Sequence, residues 1–293
     1  MFRVGIPRMF AFYIYPRLWE TFFQELGMEP VVSAPTTIRT VEAASQLSES
    51  EHCLPNKLFD AHLAELVPKT DAVFVPRVLS TIKGHLSCPR FGPLPDAARA
   101  DICREATVLT IDLDESERPL AKSLALLGKQ LIVEKGRIQA AVDSALQAME
   151  AARKPRRKPP RKQDGLRFLL VGHPYVIHED FFSGPILRKL DQLGVEVDIL
   201  SFAENAPAAS YILWSTANQI YHALTALTPA EYDGVIQLTV FNCGCDSMMI
   251  DTYRQVMKEK RVPFMYLMLD EHPAQSGMDT RLEAFVDSLR WRS

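Results

Sequence analysis

The chain has 293 residues, 47% hydrophobic and 24% charged, with a formal net charge of −3. That suffices for two domains with real cores, and it excludes a disordered tail, a fibre or a polycation that would hold nucleic acid by charge. Five cysteines at irregular spacing argue against a disulfide framework and leave metal, redox chemistry or plain burial.

The start, Met1-Phe2-Arg3-Val4-Gly5-Ile6-Pro7, reads as a strand rather than a secretory signal. No apolar run reaches membrane-spanning length, so a cytoplasmic protein is expected. An amphipathic stretch, Leu18 to Leu26, has apolar residues at helical spacing; Gly27 ends it and Val31-Val32 follows as a strand. Further strands are predicted at Asp71–Val75 and Val108–Ile111. Arg153 to Asp164 has no apolar residue and three prolines, which predicts an exposed, basic interdomain linker over 153–165 in preference to a patch for nucleic acid or an acidic partner. The second half repeats the first: Gly172-His173-Pro174 stands for Gly5-Ile6-Pro7, Leu193-Gly194 for Leu26-Gly27, and strands are predicted at Val197–Leu200, Asp233–Leu238 and Phe264–Leu269. The expectation is two α/β domains, 1–152 and 166–293, of Rossmann or flavodoxin type, with parallel sheets that bind ligands at strand carboxyl ends. Trp214, Tyr211 and Ile220 share helical spacing and are assigned to a core. Neither a G-x-G-x-x-G nor a Walker A sequence occurs, so a nucleotide site is unsupported.

Cys53, Cys88 and Cys243 each fall where a strand or loop gives way to a helix-like stretch. There the unpaired N–H groups and partial positive charge favour a thiolate, the form that binds soft metal. If the domains face one another, the three thiolates converge in the interdomain cleft and hold an iron–sulfur cluster; zinc and simple burial are the competing readings. Cys245, one residue beyond Cys243, is counted with the cofactor-binding cysteines as a fourth ligand, a redox thiol or neither. Cys103, on a predicted helix, is read as structural. Glu271 and His272, after the last apolar strand, are candidates for proton transfer, for orienting a cluster ligand or for capping the helix that follows, and His173 and Tyr175, at the first strand end of the second half, are similarly placed. Arg8 and Lys57 would balance a cluster's negative charge or be solvated.

Gly5-Ile6-Pro7-Arg8, Glu51-x-Cys53-x-Pro55-x-Lys57, Cys88-Pro89, Gly172-His173-Pro174-Tyr175, Phe241-x-Cys243-Gly244-x-Asp246-Ser247 and Asp270-Glu271-His272 form an ordered set. It resembles the 2-hydroxyacyl-CoA dehydratase D-component superfamily, and within it the DUF2229 proteins associated with CoA-enzyme activases. The resemblance implies a 4Fe-4S cluster on Cys53, Cys88 and Cys243, with a double-cubane cluster in some relatives. It implies single electrons from a separate ATP-hydrolysing iron–sulfur activator, and an acyl-CoA or small-molecule substrate that is dehydrated or reduced. A homodimer or heterodimer fits this scheme, and neither nucleic acid nor membrane is an expected partner. Cys245 stands where such relatives more often carry Pro. The alternative expectation is a non-enzymatic cluster carrier, assembly factor or redox sensor.

Overall fold

Strands alternating with amphipathic helices require parallel sheets covered by helices on their faces. The computed structural model, which describes residues 1–131, 134–153, 165–202, 211–271 and 275–291, has this α/β architecture of Rossmann or flavodoxin type. Its strands are β1 (Arg3–Ile6), β2 (Glu29–Val32), β3 (Ala72–Phe74), β4 (Arg77–Ser80), β5 (Val108–Leu109), β6 (Asp112–Asp114), β7 (Leu166–Val171), β8 (Val195–Ile199), β9 (Gly234–Val240) and β10 (Phe264–Leu269). The chain divides into two compact units, Met1–Lys154 with Ala208–Ser215 and Pro155–Pro207 with Thr216–Ser293. The predicted linker lies almost wholly outside the described residues.

The first unit carries a sheet of order β2-β1-β3-β5 and a small β4-β6 pair; the second carries β8-β7-β9-β10. Every named strand pairing is parallel. Each four-stranded sheet thus puts its second strand on one side of the first and its third on the other, which opens a crevice beyond the carboxyl ends of β1 and β3, and of β7 and β9. The central strand β9, Gly-Val-Ile-Gln-Leu-Thr-Val, is buried throughout, whereas the edge strand β10 is only partly covered. Phe168 of β7 is fully buried and meets Phe285, ring centroids 5.3 Å apart.

The helix Leu18–Glu25 ends as the sequence predicts. Gly27 has φ +80°, the Met28 N–H reaches the Phe23 carbonyl at 3.0 Å and the Gly27 N–H reaches that of Gln24 at 2.9 Å, a paired closure that needs a left-handed residue. Gly194, with φ +69°, closes Asp180–Gln192 in the second unit.

Two expectations are corrected. Cys103 lies in the turn after the helix Leu94–Ala100 rather than within a helix, and it is buried. Of the aromatic-aliphatic trio only Ile220 is core: Tyr211 is 65% exposed, and Trp214 forms a bridge with Leu86 instead of a helical turn. Helical spacing misleads there because the helix begins only at Ser215.

His62, on the helix Leu54–Leu66, is 1% exposed; its Nε2 lies 3.2 Å from the Thr36 hydroxyl and its Nδ1 has no hydrogen-bond partner. Burial pushes its pKa down to about 4, with Glu65 opposing and Arg8 assisting. In the unfolded chain the ring titrates near 6.5, so its contribution is present in full above that value and is lost as pH falls toward 4. Asp60, raised to about 6 by burial, acts in the opposite sense, so the informative comparison is with His62→Gln. From pH 7.5 to 4, urea denaturation should show the native protein losing about 3 kcal/mol more than the variant; parallel pH profiles would refute a neutral buried His62.

Candidate functional site

In the second unit the site forms at the crevice between β7 and β9. Gly172 follows β7 and approaches β9 so closely that a Cβ would strike the Leu238 carbonyl oxygen. His173 then caps the short helix Pro174–Ile177, with Pro174 preset for a helix start. Opposite, the chain leaves β9 through Phe241 and Asn242, the latter at φ +62°, and Cys243 becomes the N-cap of Gly244–Lys260. Asparagine tolerates that left-handed conformation better than most residues.

These connections bring three chemically distinct donors together. His173 Nε2 lies 3.7 Å from Cys243 Sγ and 3.4 Å from Asp246 Oδ1, and one ligand atom from each of the three residues falls within 4.8 Å of the others. The Thr239 hydroxyl donates to Asp246 Oδ2. The His173 ring stacks on Tyr175, centroids 5.0 Å apart and planes at 16°. His173 and Asp246 are buried, and Cys243 is partly exposed.

Burial alone would lower the His173 pKa, but the Asp246 carboxylate and the Cys243 sulfur beside Nε2 hold it well above its ordinary value. Burial would likewise raise Asp246, yet His173 and Thr239 keep it below the usual carboxylate range. Burial and then Asp246 push the Tyr253 and Tyr266 hydroxyls upward. A thiolate, an imidazole and a carboxylate at these spacings can hold one borderline divalent ion with an open coordination position, or supply one thiolate to a larger centre.

In the first unit Cys53 is the N-cap of Leu54–Leu66, with Pro55 in the opening turn, and Cys88 is the N-cap of the single 3-10 turn Pro89–Phe91. Both are partly exposed. Phe10 joins the two: its ring centroid is 5.5 Å from that of Phe59, on the Cys53 helix, and 4.8 Å from that of Phe91, in the Cys88 turn. His52, beside Cys53, has its pKa lowered first by burial and then by Arg90, two residues beyond Cys88. Its Nδ1 lies 3.1 Å from Asn56 Nδ2. Lys57 is buried rather than solvated, and Arg8 donates from Nε to the Ser33 carbonyl at 3.1 Å while lying over the Phe12 ring.

Cys245 is the second residue of Gly244–Lys260 and is buried. Glu271 lies in the bend after β10, partly exposed, and His272 falls outside the described residues. In the sequence, His173 and Cys243 stand out by their strand-end positions, whereas nothing there gives a role to Thr239, or to Asp246 beyond the motif. The available signal is periodic: Gln237 and Thr239 share one face of β9, and Asp246 is the third residue of the helix that follows it.

The family model of the CoA enzyme activase uncharacterised domain (DUF2229) matches residues 3–201. The chain belongs to this family. The match takes in Cys53, Cys88 and His173 and stops before Cys243. No curated protein matches the chain. Among solved structures, a LacI family transcriptional regulator from Arthrobacter sp. FB24, in complex with lactose, is similar over 98% of this chain and 90% of its own, at 12% identity and a TM-score of 0.23. At that level the likeness carries neither fold nor ligand across. Among the described residues no helix is long and apolar enough to cross a membrane.

Proposed function

We propose that this DUF2229 protein is an iron–sulfur protein of the 2-hydroxyacyl-CoA dehydratase or benzoyl-CoA reductase type, with Cys53, Cys88 and Cys243 holding a 4Fe-4S cluster. One observation carries the reading: these three cysteines are partly exposed N-cap residues, whereas Cys103 and Cys245 are buried. An N-cap thiolate sits beside backbone N–H donors and the positive end of a peptide dipole, which suits the net negative charge of a thiolate-bound cluster. Burial pushes the Cys103 thiol up to about 11, with Asp60 adding to it, so it remains protonated and inert.

When bound, such a cluster supplies single-electron transfer, drawn here from a separate ATP-hydrolysing activator. The chain's own residues do the rest: Asp246 and Thr239 fix His173 beside the Cys243 sulfur. Glu271, at the same sheet edge, and His272 are the proposed groups for moving a proton on an acyl-CoA or small-molecule substrate. The protein is expected to act in the cytoplasm.

Anaerobic reconstitution with ferrous iron and sulfide tests the assignment. The expected result is near-stoichiometric iron and acid-labile sulfide with broad visible absorption, reducible by an activator with ATP. Stoichiometric zinc without sulfide would instead favour a mononuclear centre on His173, Cys243 and Asp246. Cluster uptake without turnover of any acyl-CoA would assign a carrier, assembly or sensing role.

A further inference from the structure

His173 presents one ring nitrogen to two acceptors. Nε2 lies 3.7 Å from Cys243 Sγ and 3.4 Å from Asp246 Oδ1, while Nδ1 is buried without a hydrogen-bond partner. In a nucleophilic cysteine relay the carboxylate would hold the ring nitrogen remote from sulfur, leaving the near nitrogen to accept the thiol proton. Here carboxylate and sulfur share the same nitrogen, so that relay is not built. Once the Cys243 sulfur is a metal-bound thiolate, a nitrogen flanked by it and by a carboxylate carries its proton, because both neighbours accept. The arrangement is therefore a fixed donor aimed at sulfur.

Several contacts hold that donor in place. The Thr239 hydroxyl occupies Asp246 Oδ2, leaving Oδ1 for the imidazole. Tyr175 stacks on the ring, and the His173 and Asp246 side chains are only 5% and 3% exposed. Water does not compete strongly at such a place, and a hydrogen bond in the low-dielectric interior keeps more of its strength.

We propose that His173, oriented by Asp246 and Tyr175, donates its Nε2–H to the Cys243 sulfur when that sulfur ligates iron, and thereby raises the reduction potential of the centre. The inference rests on the cluster reading above. A donor on a ligand sulfur favours the more negative, reduced state over the oxidised one, which is one of the protein's main levers on cluster potential. His173 is thus a positioning residue that acts through Cys243.

Redox titration of the anaerobically reconstituted full chain, followed by electron paramagnetic resonance, tests this with the native protein, His173→Leu and His173→Gln. His173→Leu should move the midpoint negative by about tenfold in the one-electron equilibrium, about 59 mV. His173→Gln, which keeps an N–H donor, should recover part of that shift. Electron–nuclear double resonance on the native protein with isotopically labelled histidine needs no variant to fold, and it should show an exchangeable proton and one weakly coupled imidazole nitrogen. Equal midpoints in native and His173→Leu clusters, no such proton, or a strongly coupled nitrogen ligated to iron would each overturn the inference. Iron and sulfide analysis comes first: a native protein that takes up no cluster overturns the cluster reading itself, an outcome distinct from an intact cluster indifferent to His173.

Discussion

Cys243→Ser should abolish cluster incorporation, Cys103→Ser should leave it intact, and Cys245→Ser should keep most of the iron. Serine replaces sulfur at nearly constant volume, so a loss at Cys243 reports ligation rather than collapse. Cys243 is the partly exposed N-cap of Gly244–Lys260, whereas Cys245 is already inside that helix and buried. Two residues apart around a helix start, their side chains diverge, and binding one iron with both would strain the turn. Iron content and visible absorption of the reconstituted variants decide the question, with thermal unfolding as a control for folding. If Cys245→Ser loses as much iron as Cys243→Ser while remaining folded, Cys245 belongs among the ligands and the three-cysteine assignment fails.

The parallel α/β character was legible because central strands such as β7 and β9 are mostly apolar, interrupted only by Arg167 in β7 and by Gln237 and Thr239 in β9, and because Leu26-Gly27 and Leu193-Gly194 announce helix ends in both halves. The β4-β6 pair was not legible: Arg-Val-Leu-Ser and Asp-Leu-Asp are too short and too polar to show a strand period. At the site, strand-end position singled out His173 and Cys243, but the partnership of Thr239 with Asp246 depends on how the start of the helix Gly244–Lys260 is set against β9, a tertiary fact. Cys103 shows the converse. Its burial followed from the sequence, while its helix did not, because Asp101, with φ −118° and ψ −83°, ends the helix two residues earlier.

Trp19→Ala should be among the most damaging single changes in the first unit, lowering its stability by about 3–5 kcal/mol, the range for deleting a large buried aromatic. Trp19 is fully buried, its ring lies 4.6 Å from that of Phe74 at the end of β3, and its Nε1–H donates to the Ala11 carbonyl at 3.0 Å. That carbonyl begins the short helix Ala11–Ile14, whose N-cap is Phe10 at φ +47°, a backbone conformation that costs about 1–3 kcal/mol and persists only when its surroundings hold it. Phe10 in turn packs on Phe59 and Phe91, on the elements opened by Cys53 and Cys88. Removing the indole therefore leaves a cavity and also loosens the support beneath both cysteines. Trp19→Phe should fall in between, keeping part of the packing but losing the N–H donor, at about 1–2 kcal/mol. Urea denaturation gives the energies, and the rate at which Cys53 and Cys88 are alkylated in native, cluster-free protein gives the local effect, which should be faster in Trp19→Ala. A stability loss below about 1 kcal/mol, or unchanged alkylation at both cysteines, would show that Trp19 does not carry the edge on which Cys53 and Cys88 stand.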